Sequence, residues 1–178
     1  MKKLAALMVL FVCAFTPLTH MNALIPRAVI DQTTGNGAAA WNFFDGTEFV
    51  IQASILKNGV WGTTTTISES LNTSMDPRVA INSNGNVAVI WQGNDPITGL
   101  TLLYGTTYNQ SLATWASPAA ITTTSENVLQ DSYLVSISSA DEVLVTYSAT
   151  QILTSVNSIR AIFCPSYGTW AAPIALSP

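Results

Sequence analysis

One stretch of the chain occurs three times, and no other sequence feature limits the fold as strongly. The copies read PRAVIDQTTGNGAAAW from Pro26, PRVAINSNGNVAVIW from Pro77 and, less closely, SYLVSISSADEVLVTY from Ser132. Their turn residues fall in register, so Gly-Asn in the first two copies matches Ala-Asp-Glu in the third. Self-similarity at a fixed period indicates one supersecondary unit built several times, with neighbouring units packed on each other.

The second half of each copy also recurs, as a polar turn followed by a tryptophan. These tryptophans are Trp61, Trp115 and Trp170, at spacings of 115 − 61 = 54 and 170 − 115 = 55. The first halves end on Trp41, Trp91 and Tyr147. The repeat is therefore about fifty residues long, and we place the copies at roughly 26–75, 76–130 and 131–178. We interpret all six aromatic residues as structural positions, because they recur at the same place in every copy.

Each copy has the pattern of short antiparallel strands rather than helices. Apolar and polar residues alternate or form brief runs, β-branched residues are frequent, and Gly, Asn, Asp and Ser separate the runs. Asn-Gly suits the positive φ angles of tight hairpins. We predict four strands per copy, which in the second are Arg78 to Asn82, Asn86 to Gln92, Leu100 to Tyr108 and Trp115 to Thr122.

The predicted fold class is all-β, with three four-stranded antiparallel repeats that act as blades of a β-propeller. A twisted sheet with two apolar faces buries both faces only between neighbours, which is what successive blades provide. Closed propellers have typically four to eight blades, so three copies make a partial ring or half of an oligomeric propeller.

The first residues have the features of a secretory signal. Lys2 and Lys3 precede the apolar run LAALMVLFVCAF, which is shorter than a membrane-spanning helix requires. We predict a signal peptide over residues 1–23 and export to the periplasm, the cell surface or the medium. After its removal, we expect no stable membrane span.

Removal of this segment would leave a mature chain with few reactive groups. His20, the only histidine, and Cys13 would be lost, so Cys164 would be the single cysteine and no intramolecular disulfide could form. A Ser-His-Asp site and a histidine-based metal site are then excluded, and we predict no metal and no cofactor. The mature charge would be 4 − 10 = −6, which argues against nucleic acid as a partner.

The turn before the last tryptophan resembles a known motif. Ser111, Thr114, Trp115 and Pro118 in YNQSLATWASPAAIT resemble the Asp-box repeat of sialidase-like propellers, as do Gly168, Thr169, Trp170 and Pro173 in the last copy. The motif's aspartate is absent from both, and the first copy keeps only Asn58-Gly59 and Trp61. The resemblance implies propeller architecture. In sialidases of this superfamily an arginine triad binds the substrate carboxylate, beside a Tyr-Glu pair and an acid/base Asp.

The candidate binding residues lie at the start of the first strand of each copy. Arg27 and Arg78 occupy the same repeat position, where a propeller points side chains towards its central channel, and Tyr133 replaces them in the third copy. Asp76 and Asp131 stand just before that strand and are expected on the same rim. An anion contact and a strand-edge charge repeated by duplication are both open interpretations of the arginines. Arg160 lies elsewhere in its repeat.

The sequence favours an exported binding module for a carbohydrate or protein ligand, without catalysis. The alternative is a degenerate or truncated sialidase-like glycoside hydrolase. With three copies, the two end sheets would each lack a neighbour on one side, and native proteins normally cover such exposed surfaces. This predicts one of three outcomes: a homodimer that completes a six-bladed ring, a fragment of a longer propeller, or an irregular sandwich.

Overall fold

The chain folds into three antiparallel β-sheets in the computed structural model, which describes residues 26–69, 73–166 and 168–177. The first sheet contains β1 (Arg27–Ile30), β2 (Gly37–Phe44), β3 (Phe49–Lys57), β4 (Val60–Trp61) and β5 (Thr65–Thr66). The second contains β6 (Ser74–Ile81), β7 (Val87–Asn94), β8 (Thr101–Asn109), β9 (Thr114–Trp115) and β10 (Ala119–Ala120). The third contains β11 (Glu126–Ile137), β12 (Val143–Gln151), β13 (Asn157–Cys164) and β14 (Ile174–Ala175). The all-β prediction is confirmed.

The prediction of four continuous strands per copy is wrong for the last strand. In the first two sheets this strand is divided into two short pieces that both pair with the third strand of the sheet. In the second sheet the gap between β9 and β10 contains Pro118, which has no N–H group to donate. Pairing resumes beyond the gap, where Ile121 N donates to Leu103 O at 2.8 Å. The sheets therefore have five, five and four strands.

The turns between the first two strands of each sheet match across the copies, as the repeat predicts. Gly35, Gly85 and Asp141 have φ angles of 71°, 81° and 67° at equivalent hairpin positions. Aspartate is one of the few L-residues that tolerates this left-handed conformation, so it can replace glycine in the third copy.

The hydrophobic core consists of two layers between the stacked sheets. The first interface joins the first and second sheets, and the second interface joins the second and third. Successive residues of β7 point to opposite faces of the second sheet. All of them from Val87 to Gly93 are buried, so both faces of this sheet are covered. Val87, Val89 and Trp91 face the first sheet, and Ala88 and Ile90 face the third.

The residues of the two interfaces follow this alternation. The first interface contains Ala38, Ala40, Ile51, Ala53 and Ile67 against Val87, Val89, Trp91, Leu102 and Tyr104. The second contains Ala88, Ile90, Leu103 and Ile121 against Tyr133, Val143, Val145, Tyr147, Ala149, Ile162 and Cys164.

The predicted signal segment lies outside the residues that the structure describes. Within the described ranges there is no helix with the length and apolar character needed to cross a membrane.

Gly105 on β8 leaves room for the side chain of Trp170 from the third sheet. A Cβ atom at this position would lie 2.7 Å from Ile90 Cδ1 and 3.1 Å from Trp170 Cζ2. A Cβ atom would overlap Ile90 Cδ1, and the Trp170 ring would have to shift by a few tenths of an ångström within a closely packed interface.

We predict that Gly105→Ala lowers the free energy of unfolding by about 1–3 kcal/mol because it overpacks the second interface. Urea denaturation monitored by tryptophan fluorescence measures the change. Gly62→Ala is the matched control: its Cβ would lie 3.4 Å from Ile55 O, and the equivalent positions are already Ala116 and Ala171. Equal stability of both variants with the parent would contradict the prediction.

Candidate functional site

Four of the five candidate binding residues lie together where the second sheet meets the third. Arg78 on β6 reaches across this junction, and its Nη2 lies 3.1 Å from Asp131 Oδ1. Its guanidinium also lies 5.0 Å from the ring centroid of Tyr133, a cation–π distance. The Tyr133 hydroxyl donates a short hydrogen bond to the carbonyl of Asp76. We call these four residues the junction cluster.

The two aspartates of the junction cluster occupy bulges inside strands, not the positions before strands that the sequence suggested. The β6–β7 register shifts between Met75 and Arg78, and the β11–β12 register shifts between Val128 and Tyr133. Asp76 and Asp131 have φ angles of 51° and 56° there. A bulge inserts unpaired residues and lets the strand continue beyond them, so β6 and β11 begin earlier than predicted.

Tyr133 is not the structural equivalent of Arg78, contrary to the sequence alignment of the copies. Arg78 pairs with Ile90, and the corresponding pair in the third sheet is Leu134 with Thr146. Tyr133 pairs with Tyr147, one position further from the hairpin turn than the Leu134–Thr146 pair, so it points into the second interface and is fully buried. Burial raises the pKa of its hydroxyl well above the ordinary value.

The remaining arginines do not join the junction cluster. Arg27 is exposed on β1, where it pairs with Ala40 as Arg78 pairs with Ile90, which confirms that the two positions are equivalent. Arg160 on β13 forms an ion pair of 3.1 Å with the buried carboxylate of Glu126. Arg78 and Arg160 are thus each paired with a carboxylate of the chain.

A cavity of about 170 Å³ opens beside the junction cluster, between the second and third sheets. Its polar lining comes from Asp76, Gln92, Asn94, Thr101 and Gln130, and its remaining lining from Met75, Gly93 and Val128. Gln92 is held in place because its Nε2 donates to Leu129 O at 3.2 Å. Asp76 is the only carboxylate among these lining residues.

The sequence argument found Asp76 but missed the other polar residues of this cavity. They lie at the ends of β7 and β8 and in the β11 bulge, and no repeated motif marks them. One local signal could have drawn attention to them, since Gln92 and Asn94 follow directly after the buried tryptophan of the repeat.

A second polar contact joins the same two sheets at their opposite ends. Asp141 Oδ1 accepts hydrogen bonds from the side-chain amides of Asn82 at 2.6 Å and Asn86 at 2.7 Å, with Asn84 at 3.4 Å. Asn82 also donates to Ser138 O at 2.8 Å. The NSNGN turn of the second copy thus binds the aspartate that replaces glycine in the third, which stabilises the angle between the sheets.

A buried tyrosine and glutamate lie within the third sheet. The Tyr147 hydroxyl donates to Glu126 Oε1 at 2.6 Å, and Gln151 Nε2 donates to Glu126 Oε2 at 3.4 Å. Glu126 and Tyr147 are each 1% exposed. Neither lines the cavity, so this group stabilises the second interface and does not face solvent. Burial, together with the hydrogen bond to Glu126, raises the pKa of Tyr147.

The repeated aromatic residues differ in burial according to their sheet. Trp91 and Tyr147 are buried in the first and second interfaces, and Trp115 and Trp170 pack against the same two interfaces. Trp41 and Trp61 of the first copy line a groove on the first sheet, and Trp61, which is 50% exposed, also borders a pocket that Tyr108 of the second sheet lines.

Metal binding finds no support in the described part of the chain. No group of three or more His, Cys, Asp or Glu side chains there could hold a metal ion. Cys164 is buried in the second interface, and burial raises the pKa of its thiol.

Solved structures that share the fold include two carbohydrate-active enzymes. An endo-arabinase from Bacteroides thetaiotaomicron matches over 86% of this chain and 61% of its own, with a TM-score of 0.52 and 14% identity. The GH93 α-L-arabinofuranosidase of Fusarium graminearum, solved with arabinobiose, matches over 85% of this chain and 48% of its own, with a TM-score of 0.52 and 12% identity. The chain spans about three fifths and about half of these two proteins. No protein-family profile and no curated protein sequence matches it significantly.

We predict that the free energy of unfolding falls as the pH rises above about 10, the ordinary pKa of tyrosine. The pKa of Tyr147 is higher in the folded chain than in the unfolded chain, so its contribution is complete below that pH and is lost above it. Each tyrosine that titrates only on unfolding contributes at most about 1.4 kcal/mol per pH unit.

Urea titrations at a series of alkaline pH values measure this decline. Tyr147→Phe removes one titrating group and should make the decline shallower, although it also costs stability at neutral pH. The parent chain in the same pH series is the reference. An unchanged slope in the variant would mean that Tyr147 does not contribute.

Proposed function

We propose that the chain is a carbohydrate-binding module of propeller type and that a single neutral sugar residue binds in the cavity beside the junction cluster. The observation that carries this proposal is the lining of the cavity, which combines one carboxylate, three side-chain amides and one hydroxyl. Sugar hydroxyl groups both donate and accept hydrogen bonds, and these side chains can do the same. Similarity of fold to an endo-arabinase and to an arabinofuranosidase solved with arabinobiose supports a carbohydrate ligand.

The architecture in this proposal is that of sialidase-like propellers, with each sheet as one blade. The stacking of three antiparallel sheets, with the middle one buried on both faces, supports it. Export by the predicted signal peptide would bring the module to extracellular or cell-surface glycans.

The size and charge of the cavity favour one neutral sugar over an acidic glycan. Its volume of about 170 Å³ is below the range of about 300–1,000 Å³ that holds drug-sized ligands. Arg78 follows the lining residue Asp76 closely in the sequence, but its guanidinium forms an ion pair with Asp131. A carboxylated sugar would therefore approach the carboxylate of Asp76 without a free cation to balance its charge.

Binding without turnover is favoured because glycoside hydrolysis generally needs two carboxyl groups on either side of the bond. Asp76 is the only one that lines the cavity, and the Asp131 carboxylate is paired with Arg78. One observation favours a glycosidase as the second candidate. The chain spans about three fifths and about half of two enzymes of similar fold, so additional sheets could contribute a second carboxylate.

We expect arabinose or arabinobiose to bind in isothermal titration calorimetry, and Asp76→Asn to weaken binding about tenfold because it removes a charged acceptor. Asparagine tolerates the same positive φ, so the fold should persist. Gln130→Ala, at an exposed lining residue, should also weaken binding. Gln32→Ala, at an exposed glutamine in the first sheet's turn, is the matched control.

The same samples should not release sugar from a chromogenic arabinofuranoside. Turnover that is lost in Asp76→Asn would favour the glycosidase. Tighter binding of a sialoside than of arabinobiose, or equal affinities in the parent and both cavity variants, would overturn the proposed site.

A further inference from the structure

We propose that two copies of the chain associate head to tail, with the outer face of the third sheet of each copy packed on the outer face of the first sheet of the other. Two such contacts would close a ring of six sheets, three from each copy. This inference does not depend on a carbohydrate ligand, since it rests on the repeated sheet interfaces.

The outer face of the third sheet is apolar, and no other sheet of the described residues packs on it. It carries Leu134, Leu144, Ile159, Phe163 and Ile174, which are 43–70% exposed. Strand pairing places Leu144 opposite Phe163 and Ile174 opposite Ala161, so the residues form one continuous patch. None of them is charged. A patch of this kind on a sheet marks a surface that packs on another protein surface.

The outer face of the first sheet also has no other described sheet against it, but it is shaped differently. Ala39, Trp41, Ser54, Trp61 and Thr64 line a shallow groove of about 270 Å³ on this face. These residues are uncharged as well, so contact between the two outer faces would bury no unpaired charge.

The strand register shows that these two outer faces are equivalent to the two faces that pack together in the first interface. Trp41 pairs with Gln52 on β3 as Trp91 pairs with Tyr104 on β8, so the two tryptophans are equivalent. Trp91 packs in the first interface together with Ile51 and Ala53. In the third sheet, Ile159 occupies the position of Ile51 and Ala161 occupies the position of Ala53.

The second tryptophan of each copy supports the same correspondence. Trp170 of the third copy packs on Gly105 of the second sheet, and Trp115 of the second copy packs against the first interface. Trp61 of the first copy has no such sheet beneath it among the described residues. In the proposed contact it would lie on β13 and β14 of the other copy, over Ile174 and its partner Ala161, which occupies the position equivalent to Gly105.

We therefore infer that a second copy of the chain covers each outer face, because its other outer face has the matching residues at the equivalent positions. The two faces differ, so the contact is heterologous, and two copies related by a two-fold axis would form it twice. Closure by both contacts makes the assembly stronger than a single contact, because the second contact forms within the complex.

Multi-angle light scattering after size exclusion tests the proposal on the chain without its predicted signal segment. We expect a dimer over a dilution series. Leu144→Lys and, separately, Ile159→Lys should weaken dimerisation at least about tenfold because each places a charge in the contact. Leu153→Lys, at an apolar residue that is 96% exposed in a turn away from both faces, is the matched control and should remain dimeric.

Mixing variants distinguishes head-to-tail contact from contact between identical faces. Trp61→Glu should also dimerise at least about tenfold more weakly than the parent. A mixture of Trp61→Glu with Leu144→Lys should form a heterodimer through the one intact pair of faces, weaker than the parent dimer but stronger than the dimer of either variant alone. Urea denaturation checks that each variant is folded. A monomeric parent chain, a Trp61→Glu variant that still dimerises, or open-ended oligomers instead of a dimer would each overturn the proposal.

Discussion

The structure depends on the burial of both faces of a twisted β-sheet. A sheet whose strands are apolar on both sides cannot be stable alone, and each face needs another sheet against it. The second sheet meets this condition, because Trp91 faces the first sheet and Ile90 faces the third. Within the described chain, the first and third sheets each have another sheet against one face only. The exposed Trp61 and the exposed leucines of the third sheet follow from this arrangement.

Polar contacts determine how the second and third sheets are oriented at each end of their interface. At one end Asp141 binds the asparagines of the NSNGN turn, and at the other Arg78 pairs with Asp131 and stacks on Tyr133. The Arg78–Asp131 pair is 16% and 60% exposed, so solvent screens it and its effect on stability is small. The pair affects the charge of the neighbouring cavity. It neutralises Arg78, so Asp76 is the charged residue of the cavity lining.

Much of the fold could be predicted from residue patterns because the patterns are local. Alternating apolar residues specify strands, and Gly85 and its equivalents specify hairpin turns, so the second and third strands predicted for the second copy were placed to within two residues. The bulges at Asp76 and Asp131 were not predictable, since a bulge depends on the partner strand as well as on its own residues. The alignment of Tyr133 with Arg78 was wrong by one position, because the turn residue Asp141 follows Tyr133 by 141 − 133 = 8 residues and its equivalent Gly85 follows Arg78 by 85 − 78 = 7.

The sequence by itself determined the all-β class, the antiparallel hairpins and the positions of their turns, because these follow from periodicity and turn chemistry. Only the tertiary structure decided which of the candidate residues meet. Arg78 and Asp131 are distant in the chain and are brought together by the stacking of two sheets, and Gln92 and Gln130 line one cavity for the same reason. Contacts between sheets depend on strand register and on the face that each residue occupies, and a single bulge changes both.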